Sequence, residues 1–150
     1  MPDILETFSQ PTRQWFRSTF GTPTPPQAQG WEAIQRGDHT LILAPTGSGK
    51  TLAAFLWGID QLYQNPGFSE GKKPGFSGVE LLYVSPLKAL NNDIERNLRH
   101  PLEGIRTTAE RLKIDLPTIR VAVRTGDTPA KLRAAMTKHP PHILITTPES

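Results

Sequence analysis

Apolar residues recur along the chain in two alternating patterns. Residues 50–64 carry apolar side chains at helical spacing, namely Leu52, Phe55, Leu56, Ile59, Leu62 and Tyr63. This spacing predicts an α-helix with one apolar face. Brief apolar runs such as residues 40–44 lack that spacing and are typical of strands buried on both faces. Together the two patterns predict helices at 27–36, 50–64, 87–99, 101–113 and 129–138, and strands at 40–44, 79–85, 119–125 and 143–147.

The alternation of short strands and helices predicts an α/β fold, with a parallel sheet flanked by helices and right-handed crossovers. Residues 65–78 differ, because they hold four glycines, two prolines and two lysines without any apolar period. They predict a flexible surface insertion, and the alternative is a docking role for Phe68 and Phe76. We expect a helical lead-in at 1–22 followed by one domain at 23–150.

Composition narrows the classes of function. The chain has 150 residues, 15 prolines and no cysteine. The lack of cysteine excludes a disulfide scaffold, a cysteine-ligated metal site and a thiol nucleophile. The longest apolar run, residues 52–57, is far too short to span a bilayer. The acidic N-terminus has no apolar core of a signal peptide. We therefore expect a cytoplasmic protein without membrane contact.

Positive charge is concentrated in residues 88–139, which carry 11 basic and 6 acidic side chains. This excess indicates a polyanionic partner such as nucleic acid, and the alternative is a solvated basic surface without a partner. The same region ends in His139-Pro140-Pro141-His142. Two histidines without a carboxylate or thiol nearby make a weak metal site, so this run predicts a solvated turn.

Residues 44–51 read Ala-Pro-Thr-Gly-Ser-Gly-Lys-Thr and lie between a predicted strand and a predicted helix. This is the context of a phosphate-binding loop (P-loop), although Ala44 replaces the usual first glycine. Glycines let backbone N–H groups turn toward phosphates, and the helix N-terminus adds positive potential. The lysine reaches the β and γ phosphates of ATP, and the next hydroxyl ligates Mg²⁺. The predicted nucleotide-binding residues are Thr46, Gly47, Ser48, Gly49, Lys50 and Thr51. Lys50 and Thr51 are also the predicted catalytic residues, and Thr51 is the predicted metal ligand.

A glutamine preceded by prolines lies upstream of this loop. Pro23-Thr24-Pro25-Pro26-Gln27 resembles the Q motif of superfamily 2 helicases, in which a glutamine amide reads the adenine edge. Such an amide can both donate to and accept from adenine. The alternative for Gln27 is a residue of a surface turn. The resemblance also implies an aromatic side chain that packs on the base, for which the candidates are Trp15, Phe16 and Phe20.

Three further segments resemble nucleic-acid motifs of the same superfamily. Residues 85–93 resemble motif Ia, residues 124–128 resemble motif Ib, and residues 146–150 resemble the next motif. Their residues depart from those of DEAD-box proteins and are similar to those of the large helicase-related (Lhr) family. The similarity to the Lhr family extends to Phe20-Gly21, ahead of the Q motif, and to Gly30-Trp31, after it. The predicted nucleic-acid-binding residues are Ser85, Pro86, Leu87, Lys88, Arg124, Thr125, Gly126, Asp127, Thr147, Pro148 and Glu149.

Each of these segments has serine or threonine followed by proline at the end of a predicted strand, as in Ser85-Pro86, Thr128-Pro129 and Thr147-Pro148. Serine and threonine are good helix N-caps, and proline is favoured at the first helical position. Because parallel strands end at one edge of a sheet, we expect three helix N-termini to offer free N–H groups to a phosphate backbone there. The alternative is ordinary helix capping without a ligand.

The resemblance implies an ATP-dependent helicase or translocase with a RecA-like P-loop NTPase fold. Such a protein uses ATP and Mg²⁺ and acts on single-stranded nucleic acid, with DNA favoured over RNA. A second RecA-like domain, an Asp-Glu motif and arginine fingers are expected in the rest of a longer protein, because hydrolysis needs them and these 150 residues lack them. We therefore expect this chain alone to be inactive. Its sheet is expected to be incomplete at the C-terminus, with an unpaired edge.

Two alternatives to a helicase remain at this point. The first is a non-catalytic P-loop module that binds a nucleotide or nucleic acid. The second is another P-loop enzyme such as a kinase, which would not explain Gln27 or the three Ser/Thr-Pro strand ends.

Overall fold

The computed structural model describes residues 3–64, 78–86 and 88–149, without the side chains of residues 88–92. The predicted insertion at 65–78 lies outside the described residues except for Gly78. The chain forms two compact units. The first consists of Met1–Gln64 and Pro101–Leu116, and the second consists of Asn65–His100 and Pro117–Ser150.

The first unit is built from helices. A 3-10 helix at Ile4–Thr7 is followed by α1 (Gln10–Phe20), α2 (Pro25–Gln35) and α3 (Lys50–Gln64). The next helix, α4 (Lys88–Arg111), contributes its part from Pro101 onward. The first 22 residues and the predicted phosphate loop therefore lie in the same unit.

Aromatic side chains form the centre of the first unit. Phe16 and Trp31 have no exposed surface, and their ring centroids lie 5.5 Å apart in an edge-to-face arrangement. Phe8 packs edge-on against Trp31 at 5.0 Å and against Trp57 at 5.3 Å. The indole N–H of Trp31 also donates to the backbone oxygen of Leu52 at 3.0 Å. This core thus connects α1 and α2 to the helix that follows the phosphate loop.

A buried carboxylate joins α1 to α3. Asp60 lies on α3 and is 1% exposed. It accepts the backbone N–H of Ser9 at 3.1 Å, the hydroxyl of Ser9 at 2.5 Å and the hydroxyl of Thr12 at 2.7 Å. Ser9 is the N-cap of α1, but its own side chain makes no capping bond. Asp60 therefore supplies the negative charge that the N-terminus of α1 favours.

The second unit contains a parallel three-stranded sheet. Its strands are β1 (Leu81–Val84), β2 (Val121–Arg124) and β3 (Ile143–Thr146), with β3 in the middle. Leu81 and Val121 both pair with Ile143, so the three strands start and end together. The helix α5 (Ala130–Lys138) lies between β2 and β3 in the chain. The predicted α/β class with a parallel sheet is confirmed.

The two faces of this sheet differ in exposure. Ile143 and Ile145 on one face have no exposed surface. Leu82 and Val84 point to the other face, where they are 56% and 50% exposed. Within the described residues, the sheet is therefore covered well on one face only.

The predicted strand at residues 40–44 is wrong. These residues form no strand, and Leu41 and Leu43 are 82% and 83% exposed. An apolar run becomes a strand only when a neighbouring strand accepts its hydrogen bonds, and within the described residues none pairs with this segment. The sequence pattern shows that the segment is apolar, but it does not show whether a neighbouring strand pairs with it.

The predicted pair of helices at 87–99 and 101–113 is also wrong, because α4 runs without interruption from Lys88 to Arg111 with Pro101 inside it. Leu98, Leu102 and Ile105 share one helical face on both sides of the proline, and all three are buried. Pro101 is itself buried and has no N–H that would need a partner there. Continuous burial of one face therefore outweighs the usual helix-breaking effect of proline.

No helix in the described part of the chain has the length and apolar character to cross a membrane.

His142 connects the beginnings of β2 and β3. Its side chain is 7% exposed, and its Nδ1 accepts the backbone N–H of Arg120 at 2.9 Å. Burial, with a smaller effect of the Arg120 charge, lowers the pKa of His142 to about 4. The expectation that this histidine lies in a solvated turn is wrong, because the pairing of the two strands encloses it.

Replacement of Asp60 by alanine should destabilise the first unit by about 3 kcal/mol, because buried donors on Ser9 and Thr12 lose a charged acceptor. Urea unfolding followed by tryptophan fluorescence measures this, since all three tryptophans lie in the first unit. The control is Asp38→Ala, which removes an exposed ion pair with Arg36 and should change stability by less than about 0.5 kcal/mol. Equal unfolding midpoints for the two variants would contradict the role given to Asp60.

The second unit should lose stability as the pH falls from 6.5 towards about 4. In this window unfolded His142 binds a proton and folded His142 does not, so each pH unit costs up to about 1.4 kcal/mol. Amide hydrogen exchange across β3, corrected for intrinsic rates, measures the loss. His142→Asn retains an acceptor for the Arg120 N–H without titrating, so it should remove this pH dependence. The exposed His139→Asn should retain it, and equal pH profiles for wild type and His142→Asn would refute the assignment.

Candidate nucleotide site and nucleic-acid interface

The predicted phosphate loop leads directly into α3. Gly47 and Gly49 have φ values of 86° and 80°, which side-chain-bearing residues rarely adopt. The helix starts at Lys50, so the first turn of α3 places its unpaired N–H groups beside the loop. Within the described residues, neither Lys50 nor Thr51 has a side-chain hydrogen bond or ion pair, and Lys50 is exposed. An ammonium, a hydroxyl and free N–H groups together fit a triphosphate with its Mg²⁺.

Residues at the start of α2 hold the phosphate loop from behind. The Thr24 hydroxyl donates to the backbone oxygen of Ser48 at 2.8 Å, and the Gln27 amide nitrogen donates to that of Gly49 at 3.3 Å. Thr24 and Gln27 also form a reciprocal capping box at this helix N-terminus. A Cβ atom at position 49 would collide with the amide of Gln27, so a larger residue there would have to displace that amide. The prediction of site residues did not include Thr24, although its spacing to Gln27 is the sequence pattern of a capping box.

Gln27 lies against the phosphate loop and not in a surface turn, since it is only 4% exposed. The surface-turn alternative is therefore wrong. Its amide oxygen accepts the N–H of Thr24 at 2.9 Å, and its amide nitrogen donates to Gly49. A primary amide has two acceptor and two donor positions. One of each is left, which is the pair that an adenine edge needs. Adenine recognition stays a prediction.

Of the three candidate aromatic residues, Phe20 alone is exposed. Trp15 is 5% exposed and Phe16 is fully buried, whereas Phe20 is 50% exposed at the end of α1. The ring of Phe20 contacts Trp15 and Phe16 at centroid distances of 5.7 and 5.2 Å. The two buried rings thus serve the core and support Phe20.

The parallel sheet brings the three nucleic-acid motifs to one edge. Ser85 follows β1, Arg124 ends β2 and Thr147 follows β3. The register pairs the last residues of β1 and β2 with Thr146, so the three strands end level with one another. Ser85 donates its N–H to the oxygen of Thr146 at 2.9 Å, which extends the pairing to the strand ends. Ser85 and Thr147 are both buried. Leu87 lies outside the described residues, and so does the side chain of Lys88.

The prediction of capped helix N-termini is wrong for Thr128-Pro129. The N-cap of α5 is Pro129 and not Thr128, and it makes no side-chain capping bond. The Thr128 hydroxyl instead accepts the N–H of Thr125 at 2.9 Å, because short polar side chains compete for local backbone groups. Pro86 lies outside a helix, and Lys88 is the first described residue of α4 because Leu87 is not described. Residues 148 and 149 form a turn at the end of the described residues, so capping at Thr147-Pro148 stays a prediction.

The remaining basic side chains near this edge differ in their surroundings. Arg124 lines a cavity of about 240 Å³ with Val79, Met136 and Leu144, and its Nε is buried without a hydrogen-bond partner. Arg133, on α5, donates from Nη2 to the backbone oxygens of Thr125 and Gly126. Arg133 is not among the predicted site residues, since nothing in a helical pattern indicates a contact with the preceding loop.

Comparisons with known proteins agree with this geometry. The family described as DEAD/DEAH box helicase matches residues 24–150. A protein of Mycolicibacterium smegmatis named Lhr helicase/probable uracil glycosylase is 55% identical, over 99% of this chain and 9% of that protein. The ATP-dependent helicase Lhr-Core protein 2 of Thermococcus barophilus is 53% identical, over 99% of this chain and 17% of that protein.

Solved structures show the same similarity. The structure of Mycobacterium smegmatis helicase Lhr bound to ssDNA and AMP-PNP has a TM-score of 0.89 at 55% identity, over 99% of this chain and 18% of that one. The helicase MrfA bound to DNA and AMPPNP has a TM-score of 0.72 at 23% identity, which shows the shared fold alone. The chain thus spans less than a fifth of the length of these relatives. The resemblance to the Lhr family is confirmed. Because the family match covers most of its residues, the chain belongs to the DEAD/DEAH box helicase family.

Proposed function

We propose that this chain is the N-terminal part of an ATP-dependent helicase or translocase. It binds ATP with Mg²⁺ at the phosphate loop and binds single-stranded nucleic acid, DNA in preference to RNA, at the carboxyl edge of the sheet. The observation that carries this proposal is the phosphate loop itself. Two consecutive carbonyls of the loop are bound by Thr24 and Gln27, while Lys50 and Thr51 have no partner in the described part of the protein.

The peptide geometry supports a triphosphate site. Because a trans peptide points its N–H opposite to its C=O, holding the oxygens of Ser48 and Gly49 toward α2 directs the N–H groups of Gly49 and Lys50 the other way. In this role Lys50 holds the β and γ phosphates, Thr51 holds Mg²⁺ and Phe20 packs on the adenine. A bound ATP would supply the phosphoanhydride bond whose hydrolysis drives movement along the nucleic acid.

The proposed preference for DNA over RNA rests on the similarity of this chain to a relative. A relative at 55% identity has been solved with ssDNA and AMP-PNP. Contacts to phosphates carry no base information, and a motor that moves along any sequence needs that indifference. A second RecA-like domain with arginine fingers, and an Asp-Glu motif, belong to this proposal as parts of a longer protein.

A non-catalytic binding module is the competing function, and the exposure of Leu41 and Leu43 argues against it. A complete module would cover an unpaired apolar segment of this kind. The sequence that follows residue 150 in the whole protein decides the point, because an Asp-Glu motif there supports hydrolysis and its absence supports the module.

Replacement of Lys50 by alanine in the full-length protein should abolish ATP hydrolysis and weaken nucleotide binding at least tenfold, because the ammonium group that binds the β and γ phosphates is lost. Phosphate release and titration with a fluorescent ATP analogue measure the two effects. DNA binding without nucleotide should stay within about twofold of wild type. The control Lys131→Ala removes an exposed lysine of α5 and should retain hydrolysis. Normal hydrolysis by Lys50→Ala would overturn the proposed site.

Replacement of Phe20 by leucine should raise the KM for ATP about tenfold with little change in kcat, since stacking on a base contributes about 1–3 kcal/mol to binding. Leucine still fills the space beside Trp15 and Phe16, so the core should persist. Steady-state ATPase assays of the full-length protein give both constants, and Phe20→Tyr, which keeps a ring, should restore the KM. An unchanged KM for Phe20→Leu would remove Phe20 from the nucleotide site.

A further inference from the structure

The helix α5 has very little apolar attachment to its own unit. None of its residues is buried, and Leu132 on this helix is 52% exposed. Arg133 and Met136 are its only half-buried side chains. A helix with so small a buried face gains little from packing, so its polar contacts decide where it lies.

Arg133 makes the main polar contact of α5. Its Nη2 donates to the backbone oxygen of Thr125 at 2.8 Å and to that of Gly126 at 2.9 Å. Its Nε is buried without a hydrogen-bond partner, and no carboxylate pairs with it within the described residues. The guanidinium is therefore directed at the loop between β2 and α5, and its charge is matched only by backbone dipoles. Hydrogen bonds from a charged donor to carbonyls are among the stronger ones in proteins.

These two bonds set the direction of the backbone in the loop. Peptide bonds in the described chain are trans, so each N–H points opposite to its carbonyl. With the oxygens of Thr125 and Gly126 turned toward Arg133, the N–H groups of Gly126 and Asp127 turn away from it. The N–H of Asp127 donates to the Thr125 hydroxyl at 3.2 Å. The N–H of Gly126 has no acceptor in the described part of the chain.

We infer that Arg133 is a positioning residue for nucleic-acid binding, which acts by directing the free N–H of Gly126 toward a phosphate of the bound strand. Arg133 itself does not contact the strand, because its guanidinium faces the carbonyl side of the loop. This inference rests on the proposed function, since it deepens the assignment of residues 124–127 to the nucleic-acid interface.

A basic residue can affect nucleic-acid binding in two ways, which differ in their dependence on salt. A cation that touches a phosphate releases a counterion, so its loss lowers the slope of log K against log salt by about 0.7 for single strands. A residue that only aims a neutral N–H at a phosphate changes the affinity and leaves that slope unchanged. Loss of one hydrogen bond to a charged acceptor corresponds to about tenfold in affinity.

The test uses the full-length protein and a fluorescein-labelled oligothymidylate, with binding followed by anisotropy from 50 to 300 mM salt in the presence of AMP-PNP. Arg133→Met should bind about tenfold more weakly than wild type with an unchanged salt slope. Arg133→Lys retains the charge but cannot hold two carbonyls in one planar fork, so it should recover only part of the affinity. Lys131→Met is the matched control, because Lys131 is an exposed residue of the same helix whose side chain makes no hydrogen bond to the loop in the described part of the chain. It should bind within about twofold of wild type.

Each result bears on the inference. Wild-type affinity in both Arg133 variants would overturn it, and so would a salt slope lowered by about 0.7 in Arg133→Met, which would show direct phosphate contact. Affinity for AMP-PNP in the absence of DNA should be the same for all variants, and a loss there would assign Arg133 to general folding and overturn the inference as well. Failure of the wild-type protein to bind the oligonucleotide would instead refute the proposed function.

Discussion

The nucleotide site depends on one constraint, which is that two consecutive carbonyls of the phosphate loop are bound on the side away from the ligand. Thr24 and Gln27 take the oxygens of Ser48 and Gly49. A carbonyl that pointed into the site would repel a phosphate and would also withdraw the N–H of the next residue. The capping box of α2 therefore contributes twice, because it starts that helix and helps to direct the loop carbonyls, together with the N–H of Ala53, which donates to the Gly49 oxygen at 3.0 Å.

The rest of the first unit makes that constraint rigid. Trp31 of α2 is fully buried and hydrogen-bonds to the backbone of Leu52 in α3. Asp60 connects α3 to the beginning of α1. The two helices on either side of the phosphate loop are thus joined to each other and to the N-terminal helix. Small displacements of α2 would otherwise alter the hydrogen bonds of Thr24 and Gln27.

A similar arrangement occurs in the second unit at the proposed nucleic-acid edge. There Arg133 binds the oxygens of Thr125 and Gly126, and the N–H of Gly126 is left free. In both loops side chains of an adjacent helix, two in the first unit and one in the second, bind consecutive carbonyls, so the backbone offers N–H groups on the opposite side. Binding by backbone N–H groups suits phosphates, whose oxygens accept hydrogen bonds in any nucleotide sequence.

The α/β class, the parallel sheet and the glycine-rich loop could be predicted from the sequence. An apolar stripe and a glycine-rich turn each require only neighbouring residues, and the alternation of strands and helices indicates the parallel sheet. The family was predicted from the resemblance of several short motifs to those of known helicases. Four features could be seen only in the folded chain: whether residues 40–44 pair, whether Pro101 interrupts α4, which aromatic ring stays exposed and where His142 lies. Each of these depends on contacts between residues far apart in the chain. Burial overrides a local preference such as that of proline, and a strand exists only beside another strand.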